Sequence, residues 1–185
     1  MAIKTFTTGE VLTAADTNTY LANSGLVYIK SQTVGSGVSS VAVSSAFSTD
    51  FDNYKILYTG GTHSAAQDIG MQLGSTTTGY YGARLAVFYT SNTLNYGLNN
   101  NSASWGFVGT GSSTGAYANF ELLNPFTATR TIVNAPNIAS TSTGAVAGSY
   151  NGFLDNATSY TAFTLIPTAG TLTGGTITVY GYRKA

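Results

Sequence analysis

Short apolar runs separated by Gly, Ser, Thr and Asn turns fill the chain from residue 26 onward, and this alternation constrains the fold most. Within residues 54–58 and 69–73 every second side chain is apolar. Period-two alternation is typical of strands that bury one face. The runs recur at spacings of roughly ten residues, which favours a sandwich or a barrel. The sequence therefore predicts an all-β fold, a single antiparallel β-sandwich of the jelly-roll type over residues 26–185.

Residues 1–25 differ from this body because they carry the one convincing helical segment, residues 13–23. Thr13 is a good N-cap, and Asp16 follows three positions later, which predicts a capping box. Gly25 is suited to the left-handed conformation that ends many helices. We therefore expect a short N-terminal helical arm, residues 1–25, in front of the β-sandwich body, residues 26–185.

The composition points to a protein that packs against other proteins. Only 8% of the 185 residues are charged, and 7 basic residues balance 7 acidic ones. Ordinary soluble domains have roughly 25% charged residues. Nucleic-acid binding needs clustered Lys and Arg, so this class of partner is not expected. The chain has no cysteine, no visible signal peptide and no apolar stretch that suggests membrane insertion.

Few residues are candidates for catalysis or metal binding. His63, the only histidine, lies in a Gly- and Thr-rich segment that reads as a solvated loop. Asp50 and Asp52 offer alternate oxygen ligands but lack the Gly and Glu of an EF-hand loop, so a turn is favoured. Glu121 and Asp155 are the carboxylate pair that a polysaccharide depolymerase would need. We expect no enzyme, no cofactor and no metal site.

Aromatic residues suggest a binding surface. Tyr80, Tyr81, Tyr96 and Trp105 lie in or beside polar, Asn-rich segments, of which residues 95–104 are the most polar predicted loop. Exposed rings beside Asn side chains can bind sugars or protein partners. The alternative is that these rings close the ends of the core, since tyrosine is also a good strand residue. The four residues are candidate receptor or partner contacts.

Two segments carry a resemblance to a known family. Residues 6–18 contain an aromatic residue, then Gly-Glu-Val-Leu-Thr-Ala, and then Asp and Asn. This pattern resembles a segment near the start of tail and other virion structural proteins of tailed bacteriophages. Residues 163–167, the turn at 170–175 and residues 176–181 resemble the last hairpin of β-sandwich domains in phage fibres and capsid-surface proteins. Together the segments cover a small part of the chain, and the first is the more specific.

The resemblance implies a non-enzymatic virion structural protein, made in the host cytoplasm and assembled as a homotrimer. The arm would dock on other virion proteins of the tail or capsid, and the body would face outward toward a host surface glycan or protein. In this reading Asp16 caps the short helix, Glu10 lies just ahead of it, and apolar side chains make the contacts. The arm residues concerned are Phe6, Glu10, Val11, Leu12, Thr13, Asp16 and Leu21.

Several alternatives stay open at this point. The protein would be a compact tail fibre tip or minor tail protein, or a capsid decoration protein that clamps neighbouring subunits. The absence of heptads and shaft repeats disfavours a long fibre. A free carbohydrate-binding module is a further alternative. The arm itself would either attach to the particle or fold back to cover an edge strand of its own body.

Overall fold

The computed structural model describes residues 7–17, 25–141 and 144–184, and most of them are in strands. The all-β prediction is confirmed, because the strands form an open, 13-stranded antiparallel sheet. The elements are α1 (Ala14–Asp16), β1 (Leu26–Thr33), β2 (Val41–Val43), β3 (Phe51–His63), β4 (Gln67–Leu73), β5 (Tyr80–Phe88), β6 (Leu94–Ser102), β7 (Trp105–Ser112), β8 (Gly115–Leu123), β9 (Thr131–Thr141), β10 (Gly144–Leu154), β11 (Phe163–Pro167), β12 (Leu172–Thr173) and β13 (Thr176–Arg183).

Strand β8 is the branch point of the sheet. One of its edges pairs with β3. The other edge pairs with β7 near the start of β8 and with β9 near its end. From these neighbours the sheet continues as β7-β4-β11-β2, as β9-β10-β5-β6 and as β3-β13-β1. Three groups of strands therefore share one central strand.

Pro136 lies in β9 just beyond the point where β8 turns away. The β8–β9 pairing stops at Glu121 and Asn134, whereas the β9–β10 pairing runs on through Pro136 opposite Ser149. A proline has no backbone N–H to donate, so it fits where a strand has lost one neighbour. The result is a gap in the sheet between β8 and β9 at Pro136.

The core is built from the predicted alternation. Tyr54, Ile56 and Tyr58 are fully buried on one side of β3, as the period-two pattern indicated. The phenol of Tyr58 donates a hydrogen bond to the carbonyl oxygen of Gly174 at 2.9 Å. Buried tyrosines need such a partner, because an unpaired hydroxyl in the core costs about 1–3 kcal/mol.

Residues 7–17 of the predicted arm are among the described residues. Helix α1 is a single short turn, and its predicted capping box is confirmed: the N–H of Asp16 donates to Thr13 Oγ1 at 3.1 Å, and the N–H of Thr13 donates to Asp16 Oδ2 at 3.1 Å. Gly25 adopts the expected positive φ of 81°. The remainder of the predicted helix, residues 18–23, lies outside the described residues.

Two local predictions were wrong. Residues 95–104 were expected to form a loop, but most of them belong to β6. Its pairing with β5 overrides the turn preference of asparagine, and Asn99 Oδ1 accepts from the Gly106 N–H at 3.0 Å. The expected last hairpin is also absent among the described strands. Strand β11 pairs with β2 and β4, and β13 pairs with β1 and β3, because residues 168–175 lead from one branch of the sheet to another.

Candidate binding face

A single row of cross-strand neighbours runs over β1, β13, β3, β8, β9, β10, β5 and β6. Directly opposed residues of an antiparallel sheet have side chains on the same face, so the row defines one continuous surface, which we call the outer face. The core residues of β3 point away from it. In strand order the row is Tyr28, Tyr180, Lys55, Glu121, Asn134, Asn151, Ala83 and Leu98.

One end of the outer face is apolar and exposed to solvent. Tyr96 is 77% exposed, Leu98 71% and Leu94 65%, all on β6. Leu85 lies opposite Tyr96, and Val87 lies opposite Leu94. We call these five residues the apolar patch. Contiguous exposed apolar surfaces of this kind mark interaction sites.

The apolar patch continues across β10 to β9. Val87 faces Ala147, which in turn faces the half-exposed Ile138. Strand β6 ends this part of the sheet and, within the described ranges, pairs with β5 alone. The patch therefore occupies a free margin of the sheet.

Beneath the apolar patch, the opposite face of β5 holds a buried ion pair. Arg84 Nη1 lies 2.8 Å from Asp68 Oδ2, and the guanidinium lies 4.1 Å from the centroid of the Phe107 ring. Burial raises the pKa of the Asp68 carboxyl, and the nearby Arg84 charge only partly opposes this effect. Next to the pair, the Tyr150 phenol donates to Asn99 Oδ1 at 2.7 Å. These contacts fix the strands that carry the patch.

The middle of the outer face is concave and carries polar and charged side chains. A depression of about 390 Å³ opens where β8 separates from β9 at Pro136, and we call it the polar depression. Its shape follows from the gap in the sheet described above. The residues that line it are Lys55, Glu121, Asn134, Ala135, Pro136, Gly148, Ser149 and Asn151.

The charged groups of the polar depression balance each other. Lys55 Nζ lies 3.6 Å from Glu121 Oε1. The Tyr182 phenol donates a hydrogen bond to the same carboxylate oxygen. This hydrogen bond, with burial and the negative charge of Glu121, raises the pKa of Tyr182 to about 12. The depression thus presents a fixed cation, a fixed anion and no net charge.

The structure separates the four candidate aromatic contacts. Tyr96 is exposed in the apolar patch, and Tyr81 is half-buried and stacked on Phe153 with ring centroids 5.2 Å apart. Tyr80 and Trp105 are fully buried and meet edge to face at 5.0 Å. The expectation that Tyr80 and Trp105 are exposed was therefore wrong, and these two rings belong to the core, as the alternative interpretation had it.

The described arm residues present apolar side chains to solvent. Val11 and Leu12 are exposed. Glu10 accepts a hydrogen bond from the Thr7 N–H at 3.1 Å, while Thr13 and Asp16 form the capping box. Phe6 and Leu21, also assigned to attachment, lie outside the described residues.

His63 is not the solvated loop residue that the sequence suggested. It is the last residue of β3, it is fully buried, and Leu172 of β12 lies opposite it. Its Nδ1 accepts a hydrogen bond from the Ala65 N–H at 3.1 Å. Burial lowers the pKa of the imidazole. Pairing with β12 extends β3 through the Gly-rich segment, which explains the difference.

The carboxylates considered for catalysis or metal binding are held by separate partners. Asp155 Oδ1 accepts from Arg130 Nε at 2.9 Å, whereas Glu121 is held by Lys55 and Tyr182. No cluster of three or more His, Asp or Glu side chains suited to a metal occurs in the described part of the chain. In the same part, no helix is long and apolar enough to span a membrane.

Comparison with protein-family models, with curated proteins and with solved structures gives no match. The outer face is therefore the feature from which a function can be inferred. One of its features could have been found in the sequence: Leu94, Tyr96 and Leu98 alternate as in a strand. The other could not, because Lys55, Glu121 and Asn134 meet only through the pairing of strands far apart in the chain.

Proposed function

We propose that this chain is a non-enzymatic bacteriophage virion structural protein that docks on the particle through its N-terminal arm and packs against further copies of itself. The observation that carries the proposal is the apolar patch, formed by exposed side chains at a free sheet margin. In a chain with only 8% charged residues, little repulsion opposes association of such surfaces. The first segment of resemblance, residues 6–18, supplies the virion context.

The size of the patch supports a second copy as its occupant. The five patch residues and Ile138, which continues the patch, are 36–77% exposed. A standard protein interface buries about 800 Å² on each partner. Packed against a different surface of a neighbouring copy, these side chains would supply the apolar part of such an interface, and a head-to-tail contact of this kind closes as a homotrimer.

The arm supplies the second contact of the proposal. Val11 and Leu12 are apolar and exposed, so they are available to a partner on the particle. The capping box of Thr13 and Asp16 orders the turn that follows them. Phe6 and Leu21 add apolar contacts in this proposal. The body then faces outward as a jelly-roll-like sandwich.

Two placements on the virion follow from the same design. A compact tail fibre tip or minor tail protein would expose the outer face, with Tyr96 as an aromatic contact. A capsid decoration protein would use the exposed Val11 and Leu12 to clamp neighbouring capsid subunits. The tail placement is our primary proposal, and capsid decoration is the alternative.

Immunogold electron microscopy of intact particles with an antibody against this chain tests the proposal. Gold at the tail supports the tip or minor tail protein, and gold over the head supports decoration. Unlabelled particles that also lack the chain on a blot after denaturation contradict the virion assignment. The oligomeric state is tested separately, by the patch substitutions given in the Discussion.

A further inference from the structure

We infer that the polar depression binds the hydroxyl groups of a neutral saccharide. The depression has about 390 Å³, at the lower end of the roughly 300–1,000 Å³ typical of small-molecule pockets. A space of this size suits one or two sugar units, presented either as a free sugar or as part of a longer chain. The inference is independent of where the protein resides and of its oligomeric state.

The first reason is the pairing of a donor with an acceptor. Lys55 offers N–H donors, and Glu121 offers carboxylate oxygens 3.6 Å away. A sugar hydroxyl both donates and accepts, so neighbouring hydroxyls of one ring can bridge these two groups. Hydrogen bonds to charged groups are roughly twice as strong as neutral ones. The pair can thus recognise a hydroxylated ligand without any further charge.

The second reason is the charge balance. Glu121 compensates Lys55, and the other lining residues carry no charge. A phosphate or carboxylate ligand would have to compete with Glu121 for the single lysine, and a cationic ligand would have to compete with Lys55. A neutral ligand meets neither penalty, because the ion pair stays intact when it binds.

The third reason is that amide groups are free in the same row. The side chains of Asn134 and Asn151 make no hydrogen bond to the rest of the described chain, and neither does Ser149 beside them. Each amide has two donors and one acceptor oxygen to offer. These groups stand on paired strands, so their spacing is set before a ligand arrives and little ordering cost remains.

The geometry also disfavours an extended peptide as the ligand. Peptide capture by strand addition requires a free sheet edge with unpaired backbone groups. At the polar depression the unpaired edge of β9 begins beyond Asn134 and contains Pro136, which has no N–H to offer a peptide. Next to Lys55 the row continues to Tyr180, and an aromatic ring there can cover an apolar side of a sugar.

The inference is tested by nuclear magnetic resonance titration of the isotope-labelled full chain. The probes are maltotriose, cellotriose and chitotriose as neutral oligosaccharides, their monosaccharides, and sialyllactose as an anionic control. We expect a neutral probe to shift the amide signals of Asn134, Ser149 and Asn151. If the trisaccharide shifts these signals more than its monosaccharide does, the ligand is part of a saccharide chain. If the two probes shift them equally, the ligand is a free sugar.

Substitutions at the polar depression provide the second part of the test. We expect Glu121→Gln and Asn151→Ala each to weaken binding by about tenfold, as expected for a lost ligand hydrogen bond. Asn100→Ala, an exposed asparagine on β6, is the matched control and should leave binding unchanged. Asn151 is exposed on β10, so its variant remains informative even if Glu121→Gln is unstable.

Three results would overturn the inference. The first is the absence of any shift with every neutral probe at millimolar concentration. The second is a set of shifts that lies away from the polar depression, or an affinity that Asn151→Ala leaves unchanged. The third is tighter binding of sialyllactose than of the neutral sugars. Each of these results leaves the virion proposal untouched, because that proposal depends on the location of the chain.

Discussion

Arg84 and Asp68 form a buried ion pair of 2.8 Å directly beneath the apolar patch. Their side chains are only 8% and 12% exposed, and the guanidinium also covers the ring of Phe107. The pair links β5 to β4, two strands that lie on different branches of the sheet. The surface available for association is thus supported from below by a charged contact between branches.

We expect Asp68→Asn to lower the free energy of unfolding by about 3–5 kcal/mol, because it leaves the Arg84 charge buried without its partner. Urea denaturation measures this value. The matched control is Asp52→Asn, which removes the exposed Asp52–Lys184 pair of 2.7 Å. That change should cost at most about 1 kcal/mol. Equal free energies of unfolding for the two variants would contradict the larger contribution expected of the buried Asp68–Arg84 pair.

Stability should fall on acidification through His63. Burial lowers the imidazole pKa below its ordinary value of 6.5, so the unfolded chain takes up a proton before the folded chain does. The stabilising contribution is complete above the unfolded pKa and is lost as the pH falls through 6.5 toward the lower folded value.

The Asp68 carboxyl contributes with the opposite sign. Its pKa is raised above 3.8 in the folded protein, so the folded state binds the extra proton, and its contribution declines as the pH rises from 3.8 toward the raised value.

Thermal unfolding as a function of pH, compared between the parent chain and His63→Gln, isolates the histidine effect. If the parent chain and His63→Gln lose the same stability between pH about 7 and pH about 5, the predicted contribution of His63 is contradicted.

Charge placed in the apolar patch should prevent self-association. We expect Leu98→Asp and Tyr96→Asp each to weaken association by about tenfold or more, since an unpaired carboxylate would be desolvated in the contact. Sedimentation velocity measures the change in oligomeric state. Tyr28→Asp, on an exposed tyrosine at the β1 end of the outer face, is the matched control. A parent chain that is monomeric at all concentrations would contradict the homotrimer.

Close approach of backbone and rings should make two glycines intolerant of substitution. A Cβ at Gly97 would lie 2.5 Å from Phe107 Cζ, and one at Gly82 would lie 2.3 Å from the Tyr150 hydroxyl. We expect Gly97→Ala and Gly82→Ala each to destabilise the protein by about 1–3 kcal/mol through overpacking. Gly115→Ala meets nothing within 4 Å and should be nearly neutral. Thermal melts of the three variants decide the matter, and equal melting temperatures would contradict the packing argument.

Local patterns in the sequence predicted what depends on neighbouring residues. The alternation of Tyr54, Ile56 and Tyr58 revealed a buried strand face, and the spacing of Thr13 and Asp16 revealed a capping box. Both signals depend on side chains a few positions apart, where chain geometry fixes the relationship.

Features that depend on distant pairing could not be predicted in this way. The asparagines of β6 favour turns by themselves, and only pairing with β5 makes the segment a strand. Lys55, Glu121 and Asn134 are brought together by the register of β3, β8 and β9, which periodicity does not encode. Tyr80 and Trp105 were misplaced for the same reason, since their burial depends on which strands cover them.

The two margins of the outer face carry different features. At one margin Leu26 lies opposite Tyr182, so the chain leaves the sheet toward the arm from β1. At the other margin β6 carries the most exposed apolar side chains. The strand that leads to the arm and the strand that carries the apolar patch therefore lie at different margins of the sheet. In the proposed assembly, docking through the arm would leave the apolar margin on β6 exposed, so docking and closure of the homotrimer could occur in either order.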